Sequence, residues 1–245
     1  MEDKALLSTE EASGAEKAEL LIVIPAYNEA ENIERVVNHL TANFPQYDYV
    51  VVNDGSRDET AAICQRNRYN LLNLPVNLGL AGAFQAGLKY ADKYGYQYAV
   101  QLDGDGQHRP EYLEAMMKKM EEGYDIVIGS RFVGEKKPFT MRMLGSNLIE
   151  MAIRFTTGVN IKDPTSGMRM FSKRMIREFA SGLNYGPEPD TVSYLIRQGA
   201  RVAEVPVIMD ERILGVSYLT PVNAMRYMLK MLISILLIQN FRKRR

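Results

Sequence analysis

Short β-branched runs alternate with helical stretches through the first half of this chain, and that alternation constrains its fold more than any other feature. The runs occupy residues 21–24, 49–52, 71–74, 98–102 and 125–128. Helical segments at 32–43, 58–67, 81–94 and 110–122 separate them, each opening near a polar or proline start signal. Strand and helix in regular succession require crossover connections, which set neighbouring strands parallel and cover the sheet with helices. The expected architecture is therefore α/β, with a mostly parallel central sheet flanked by helices. A chain of 245 residues with 46% hydrophobic content buries a core large enough for it.

The ends of the chain differ from this pattern. Residues 1–19 are acidic and non-periodic, with no basic region leading into an apolar core, so they read as a flexible acidic tail and not as a signal peptide. The expected organisation is that tail, a main unit over 20–219 with halves at 20–130 and 131–219, and a helix with a basic tail over 220–245. Thirty basic residues balance thirty acidic ones, which gives no field for nucleic acid. Cys64 sits in an apolar helical setting and reads as a buried structural thiol, in keeping with a cytoplasmic chain.

In sheets of this kind ligands lie beyond the carboxyl ends of the strands. Four successive strand ends carry polar clusters: Pro25-Ala26-Tyr27-Asn28-Glu29, Asn53-Asp54-Gly55-Ser56, Asn77-Leu78-Gly79 and Asp103-Gly104-Asp105-Gly106-Gln107-His108. Extended backbone sends alternate side chains the same way, so Asp103, Asp105 and Gln107 converge while the two glycines leave the opposite side bare for a bulky anion. Carboxylate and amide oxygens in so small a set suit Mg2+ or Mn2+ and keep positions open for phosphate oxygens. An EF-hand is excluded, because His108 stands where the turn glycine belongs and Pro110 interrupts the loop. His108 reads equally as a pocket residue or a helix-start residue. Neither a P-loop nor a Gly-x-Gly-x-x-Gly turn follows the first strand. Asp54 is suited to accept the imino N–H of uracil or guanine, which adenine lacks.

Taken in order, these four clusters resemble those of glycosyltransferase family 2. The later Gly129-Ser130-Arg131-Phe132, Asp163-Pro164-Thr165-Ser166-Gly167-Met168-Arg169 and Arg212-x-x-Gly215-x-Ser217 look like its polyprenyl-phosphate sugar synthase branch, typified by dolichyl-phosphate mannose synthase. The resemblance implies the A-type glycosyltransferase fold and a nucleotide diphosphate sugar as donor, a UDP-sugar before a GDP-sugar. By position, it implies that Pro25, Tyr27, Glu29 and Asp54 hold the nucleoside and that Asp103, Asp105 and Gln107 hold the metal against the diphosphate. Arg131, Arg142 and Ser146 fall where that branch binds the lipid phosphate, with Arg169 and Arg212 as further phosphate contacts. Two departures stand out: Tyr218 replaces a frequent lysine, and the 185–190 segment differs from the mannose synthases, so the sugar is not carried over.

An inverting transfer to a polyprenyl phosphate needs cationic positioning, for which Arg131, Arg142 and Arg169 are available. Transfer to a saccharide or protein hydroxyl needs a carboxylate base instead, and Glu188 or Asp190 has the chemistry. A third reading is a non-catalytic nucleotide-sugar-binding scaffold, against which the intact Asp103, Asp105 and Gln107 argue. Residues 224–238 are apolar but interrupted by Lys230, too short a run to span a bilayer, which takes about 20 residues. They read as an amphipathic helix, followed by the basic run 242–245, that meets the inner face of the cell membrane or a small membrane protein. Packing on the catalytic unit or in a homo-oligomer seam is its alternative use.

Overall fold

The computed structural model describes residues 18–135, 137, 140–181, 186, 188–210 and 221–241. In chain order the elements are β1 (Leu20–Ala26), α1 (Ile33–Asn43), β2 (Asp48–Asn53), α2 (Thr60–Arg66), β3 (Leu71–Asn73), α3 (Gly79–Tyr94), β4 (Tyr98–Gln101) and α4 (Leu113–Glu121). There follow β5 (Ile126–Ser130), α5 (Met141–Thr157), β6 (Arg169–Ser172), α6 (Lys173–Ala180), α7 (Pro189–Arg197), β7 (Val202–Pro206) and α8 (Pro221–Leu236). The five strands and four helices expected from periodicity all form, with ends shifted by at most three residues. The segment 110–122 divides into a 3₁₀ turn at Pro110–Tyr112 and α4, since Pro110 fills a first-turn position that needs no N–H.

All seven strands join one sheet in the order β3-β2-β1-β4-β6-β5-β7. Strand β6 is antiparallel to both β4 and β5, and every other pairing is parallel. The sheet is thus mostly parallel, as expected, with this one strand reversed. Its sequence, Arg169-Met170-Phe171-Ser172, is too short for alternation to announce it. It enters between β4 and β5, with Met170 opposite both Val100 and Val127, so residues from the two expected halves share one continuous sheet.

Alternation along each strand divides the core into two layers. Leu21, Val23, Ala99, Ile126, Ile128 and Phe171 face one layer, covered by α3, α5, α6, α7 and α8. Leu20, Ile22, Ile24, Val100, Val127 and Met170 face the other, covered by α1, α2 and α4. Phe171 sits between Phe84 and Phe179 at ring-centroid distances of 5.7 and 5.4 Å, tying α3 and α6 to β6. Such pairs contribute about 0.5–1.5 kcal/mol each beyond their burial. Cys64 is fully buried, and burial pushes its thiol up to about 11, as a structural cysteine requires.

Candidate active site

Because β5 and β4 both oppose β6, they run the same way, and the carboxyl ends of β1, β2, β3, β4, β5 and β7 reach one edge of the sheet. The loop that leads into the reversed β6 opens on that same edge. The four strand-end clusters therefore meet there, together with Arg131 after β5 and Arg169 at the start of β6.

Hydrogen bonds stitch the first three loops together. Asn28 takes a left-handed conformation (φ 56°), which asparagine tolerates better than most residues. In that pose its N–H donates to Ser56 Oγ at 3.0 Å and its Oδ1 accepts the Arg57 N–H at 2.9 Å. Glu29 is buried, accepts Asn32 Nδ2 at 2.8 Å and donates its N–H to Thr60 Oγ1 at 2.9 Å. Asp54 is 2% exposed, and its Oδ1 accepts the Leu78 N–H at 2.6 Å, joining the second loop to the third. Pro25 is the buried penultimate residue of β1, and Tyr27 stands half-buried beyond it.

The fourth loop is the most tightly specified. Asp103 Oδ1 accepts Gln101 Nε2 at 2.8 Å, and the Asp103 N–H donates to His108 Nδ1 at 3.0 Å. That bond leaves the His108 proton on Nε2, which faces Asp103 Oδ2 at 3.7 Å. Gly106 adopts φ 79°, a region costly for side-chain-bearing residues, and lets the loop fold back so that the Gln107 N–H reaches Asp105 Oδ1 at 3.1 Å. Gln107 Nε2 donates to the Asp210 carbonyl at 3.1 Å, and Arg109 grips the Asp210 carboxylate from two nitrogens. The Arg109 hydrogen bond holds the Asp210 carboxyl below the usual carboxylate range.

The described residues contain no group of three or more His, Cys, Asp and Glu placed to hold a metal. Two carboxylates and the Gln107 amide oxygen remain as a small, hard oxygen set on a loop whose Asp103 side chain is 30% exposed. That donor chemistry fits an octahedral cation that completes its shell with phosphate oxygens.

Around the 163–168 turn the arginines differ in state. Arg131 donates through Nε and Nη2 to Asp163 at 2.7 and 2.8 Å, and Asp163 is fully buried, so this guanidinium already has a counter-charge. Arg169 is 5% exposed; its Nη2 donates to the Pro164 carbonyl at 2.8 Å, and its Nε–H is buried without a partner. Ser146, on α5, is fully buried with its Oγ unpartnered. The turn at 163–168 links Asp163 and Arg169 to the Asp103 loop: a methyl on Gly167 would stand 3.3 Å from Asp103 Oδ2. The Arg142 side chain and Arg212 lie outside the described residues.

The two carboxylates considered as bases are both engaged by the carboxyl-terminal segment. Asp190 accepts the Thr191 N–H at 2.8 Å, Ser234 Oγ at 2.5 Å and Gln239 Nε2 at 3.3 Å. Glu188 accepts the Tyr227 hydroxyl, whose pKa is driven up by burial and by the Glu188 charge. Sequence reasoning missed Gln101, Asp210, Tyr227 and Ser234 as partners of the site. Gln101 was detectable as a polar residue closing an apolar strand; the other contacts span 39 to 103 positions and leave no local signal.

A seven-stranded, mostly parallel sheet with one reversed strand, flanked by helices and with its polar loops on one edge, is the A-type glycosyltransferase fold. Residues 21–179 match the sequence profile described as glycosyl transferase family 2, and the chain belongs to that family. It is 32% identical over 223 residues to a polyprenol monophosphomannose synthase of Mycolicibacterium smegmatis, covering 86% of this chain and 84% of that protein. It is 29% identical over 213 residues to a UDP-N-acetylglucosamine–dolichyl-phosphate N-acetylglucosaminyltransferase of Methanococcus voltae, covering 77% and 84%. The fold matches glucosyl-3-phosphoglycerate synthase from Mycobacterium tuberculosis, solved with Mn2+, uridine diphosphate and phosphoglyceric acid. That match has a TM-score of 0.64 at 20% identity over 92% of this chain and 79% of the other.

Proposed function

We propose that this protein transfers a hexose or N-acetylhexosamine from a nucleotide diphosphate sugar, a UDP-sugar before a GDP-sugar, to a polyprenyl phosphate, with inversion at the anomeric carbon. The observation that carries the reading is the contrast on the acceptor side. Arg169 offers a buried N–H with no partner, while Glu188 and Asp190 are both occupied by α8 and the residues after it. A hydroxyl acceptor needs a base. A phosphate monoester, with a second pKa near ~6, is mostly dianionic at neutral pH and needs donors instead. The names of the M. smegmatis and M. voltae relatives support a polyprenyl phosphate acceptor and leave mannose and N-acetylglucosamine both in play.

In this reading the Asp54, Glu29 and Tyr27 loops seat the nucleoside. Asp103, Asp105 and Gln107 hold Mg2+ or Mn2+, which when bound stabilises charge on the departing diphosphate. Gln101 and His108 orient Asp103, and the Arg109–Asp210 pair holds Gln107 in register. Arg169 and Ser146 receive the acceptor phosphate, while the Arg131–Asp163 pair braces the turn that presents Arg169. An acceptor phosphate oxygen bonds to the anomeric carbon from the face opposite the leaving diphosphate, which departs with the bonding electrons. The lipid product, a membrane-held sugar donor for cell-wall polysaccharide or glycan modification, places the protein at the inner face of the cell membrane.

The test is to incubate the protein with Mn2+, labelled UDP- and GDP-sugars and either undecaprenyl phosphate or saccharide acceptors. Label should enter the organic phase only with the prenyl phosphate, and the product should carry inverted anomeric configuration by NMR. Transfer to the saccharides alone would overturn the acceptor assignment. Donor binding without transfer to any acceptor would favour a scaffold.

A further inference from the structure

The side of the fourth loop that Gly104 and Gly106 leave bare is occupied by protein. A methyl on Gly104 would stand 3.1 Å from the Pro25 carbonyl oxygen and 3.5 Å from Glu29 Cγ. A methyl on Gly106 would meet Arg35 Nη2 at 2.8 Å and Nη1 at 2.9 Å, so the guanidinium lies against the chain where only glycine leaves room. The loop that carries Asp103, Asp105 and Gln107 therefore rests on the loop that carries Pro25 and Glu29, and on Arg35 of α1.

Hydrogen bonds continue that contact. Arg35 Nη2 donates to the Asp105 carbonyl at 3.0 Å, 70 positions away in the chain. The same nitrogen reaches Asn32 Oδ1 at 3.3 Å, one helical turn earlier, and Asn32 Nδ2 donates to Glu29 Oε2 at 2.8 Å. Asn32 is 1% exposed, so its amide is held by protein partners. The Glu29 carbonyl accepts the Asn32 and Ile33 N–H groups, both at 2.9 Å, which ties the Glu29 backbone to the start of α1. At the other end of the path, the Asp105 carbonyl precedes the left-handed Gly106, and Asp105 Oδ1 accepts the Gln107 N–H. Holding that carbonyl fixes the peptide plane between Asp105 and Gly106, and with it the directions in which Asp105 and Gln107 leave the chain.

We infer that Arg35 is a positioning residue that couples the nucleoside half of the donor site to its metal half. Glu29, Asn32, Arg35 and the Asp105 carbonyl form one relay, so a nucleoside seated on Glu29 pre-orders the loop that receives the cation. The inference rests on the donor-site reading given above and adds to it the connection between the two halves. A nucleotide that fixes Glu29 and the first turn of α1 leaves the metal loop less freedom to lose, and the coupling acts equally in the opposite direction. Arg35 acts through the backbone carbonyl, not as a ligand.

Four affinities of UDP, measured by calorimetry, test this: wild type and Arg35→Met, each with saturating Mn2+ and in EDTA. Mn2+ should tighten UDP binding to the wild type, and Arg35→Met should reduce that factor about tenfold, as the loss of one charge-assisted hydrogen bond implies. Affinity in EDTA and the unfolding temperature should hold, since Arg35 is exposed. Direct contact between cation and diphosphate is common to both proteins and cancels in the ratio. Arg35→Lys keeps a donor for the Asp105 carbonyl and should restore part of the factor. An unchanged factor in Arg35→Met would overturn the inference. So would an equal loss of UDP affinity with and without Mn2+, the mark of a purely structural residue. A wild type whose UDP affinity ignores Mn2+ would defeat the donor-site reading itself, and the inference with it.

Discussion

At position 188 a carboxylate accepts the Tyr227 hydroxyl, and an amide oxygen accepts it equally well while being useless as a base. Glu188→Gln is therefore expected to keep turnover within about threefold of the wild type, measured by initial rates with polyprenyl phosphate. A fall of about a hundredfold or more would restore Glu188 as a general base. The Arg131–Asp163 pair gives a second discriminating substitution. Arg131→Ala leaves a fully buried carboxylate without its counter-charge, which should cost about 3 kcal/mol in urea unfolding. Arg131→Ala/Asp163→Ala should recover part of that loss, since the uncompensated charge is gone. Full additivity of the two single losses would show that the ion pair does not couple them. Both residues were recognisable in the sequence as members of short motifs. Their mutual engagement was not, because 32 positions, including all of α5, separate them.

Elements pair through groups at the opposite edge of the sheet as well. Asp125, just before β5, accepts Arg174 Nε and Nη2 from α6 at 2.8 and 2.6 Å and the Arg201 N–H, just before β7, at 2.9 Å. Burial alone would raise the Asp125 carboxyl, but the Arg174 and Arg201 hydrogen bonds outweigh it and hold the pKa below its ordinary value. With the folded pKa depressed, the stability this group contributes is present above the unfolded value of about 3.9 and is lost as pH falls through the folded one. Asp125→Asn should accordingly lower stability by about 1–3 kcal/mol at pH 7. The gap from wild type should close below about pH 4 in thermal unfolding. A gap independent of pH would mean that the carboxylate charge has no part in joining these elements. The same contrast governs what could be read beforehand. Helices α1 to α4 carry apolar periodicity and start signals of their own, whereas β6, at four residues, takes its direction from neighbours on both sides.

At the scale of the molecule, the strand-end loops form one binding edge only when the whole sheet is assembled, so a ligand there should stabilise the fold globally. UDP with Mn2+ at about a hundred times its dissociation constant would add about 2.7 kcal/mol, or about 5–10 °C in unfolding temperature for a chain of this size. Chelation with EDTA should abolish most of that shift. An equal shift in EDTA would show that the nucleotide binds without help from the Asp103 loop. The same measurement with GDP separates the two donor classes.

The sequence by itself determined which segments become strands and helices in the first half, and which side chains stand at the strand ends, because periodicity and turn chemistry act within a few residues. The ordered motifs also carried the family. Only the tertiary structure decided that β6 runs backwards between β4 and β5, bringing the 163–168 turn against Asp103 at Gly167. It alone showed that Glu188 and Asp190 are engaged by α8, and that α5 and α8 meet at Gly145. Those outcomes depend on contacts tens of positions apart, whose energy exists only after the chain has closed on itself.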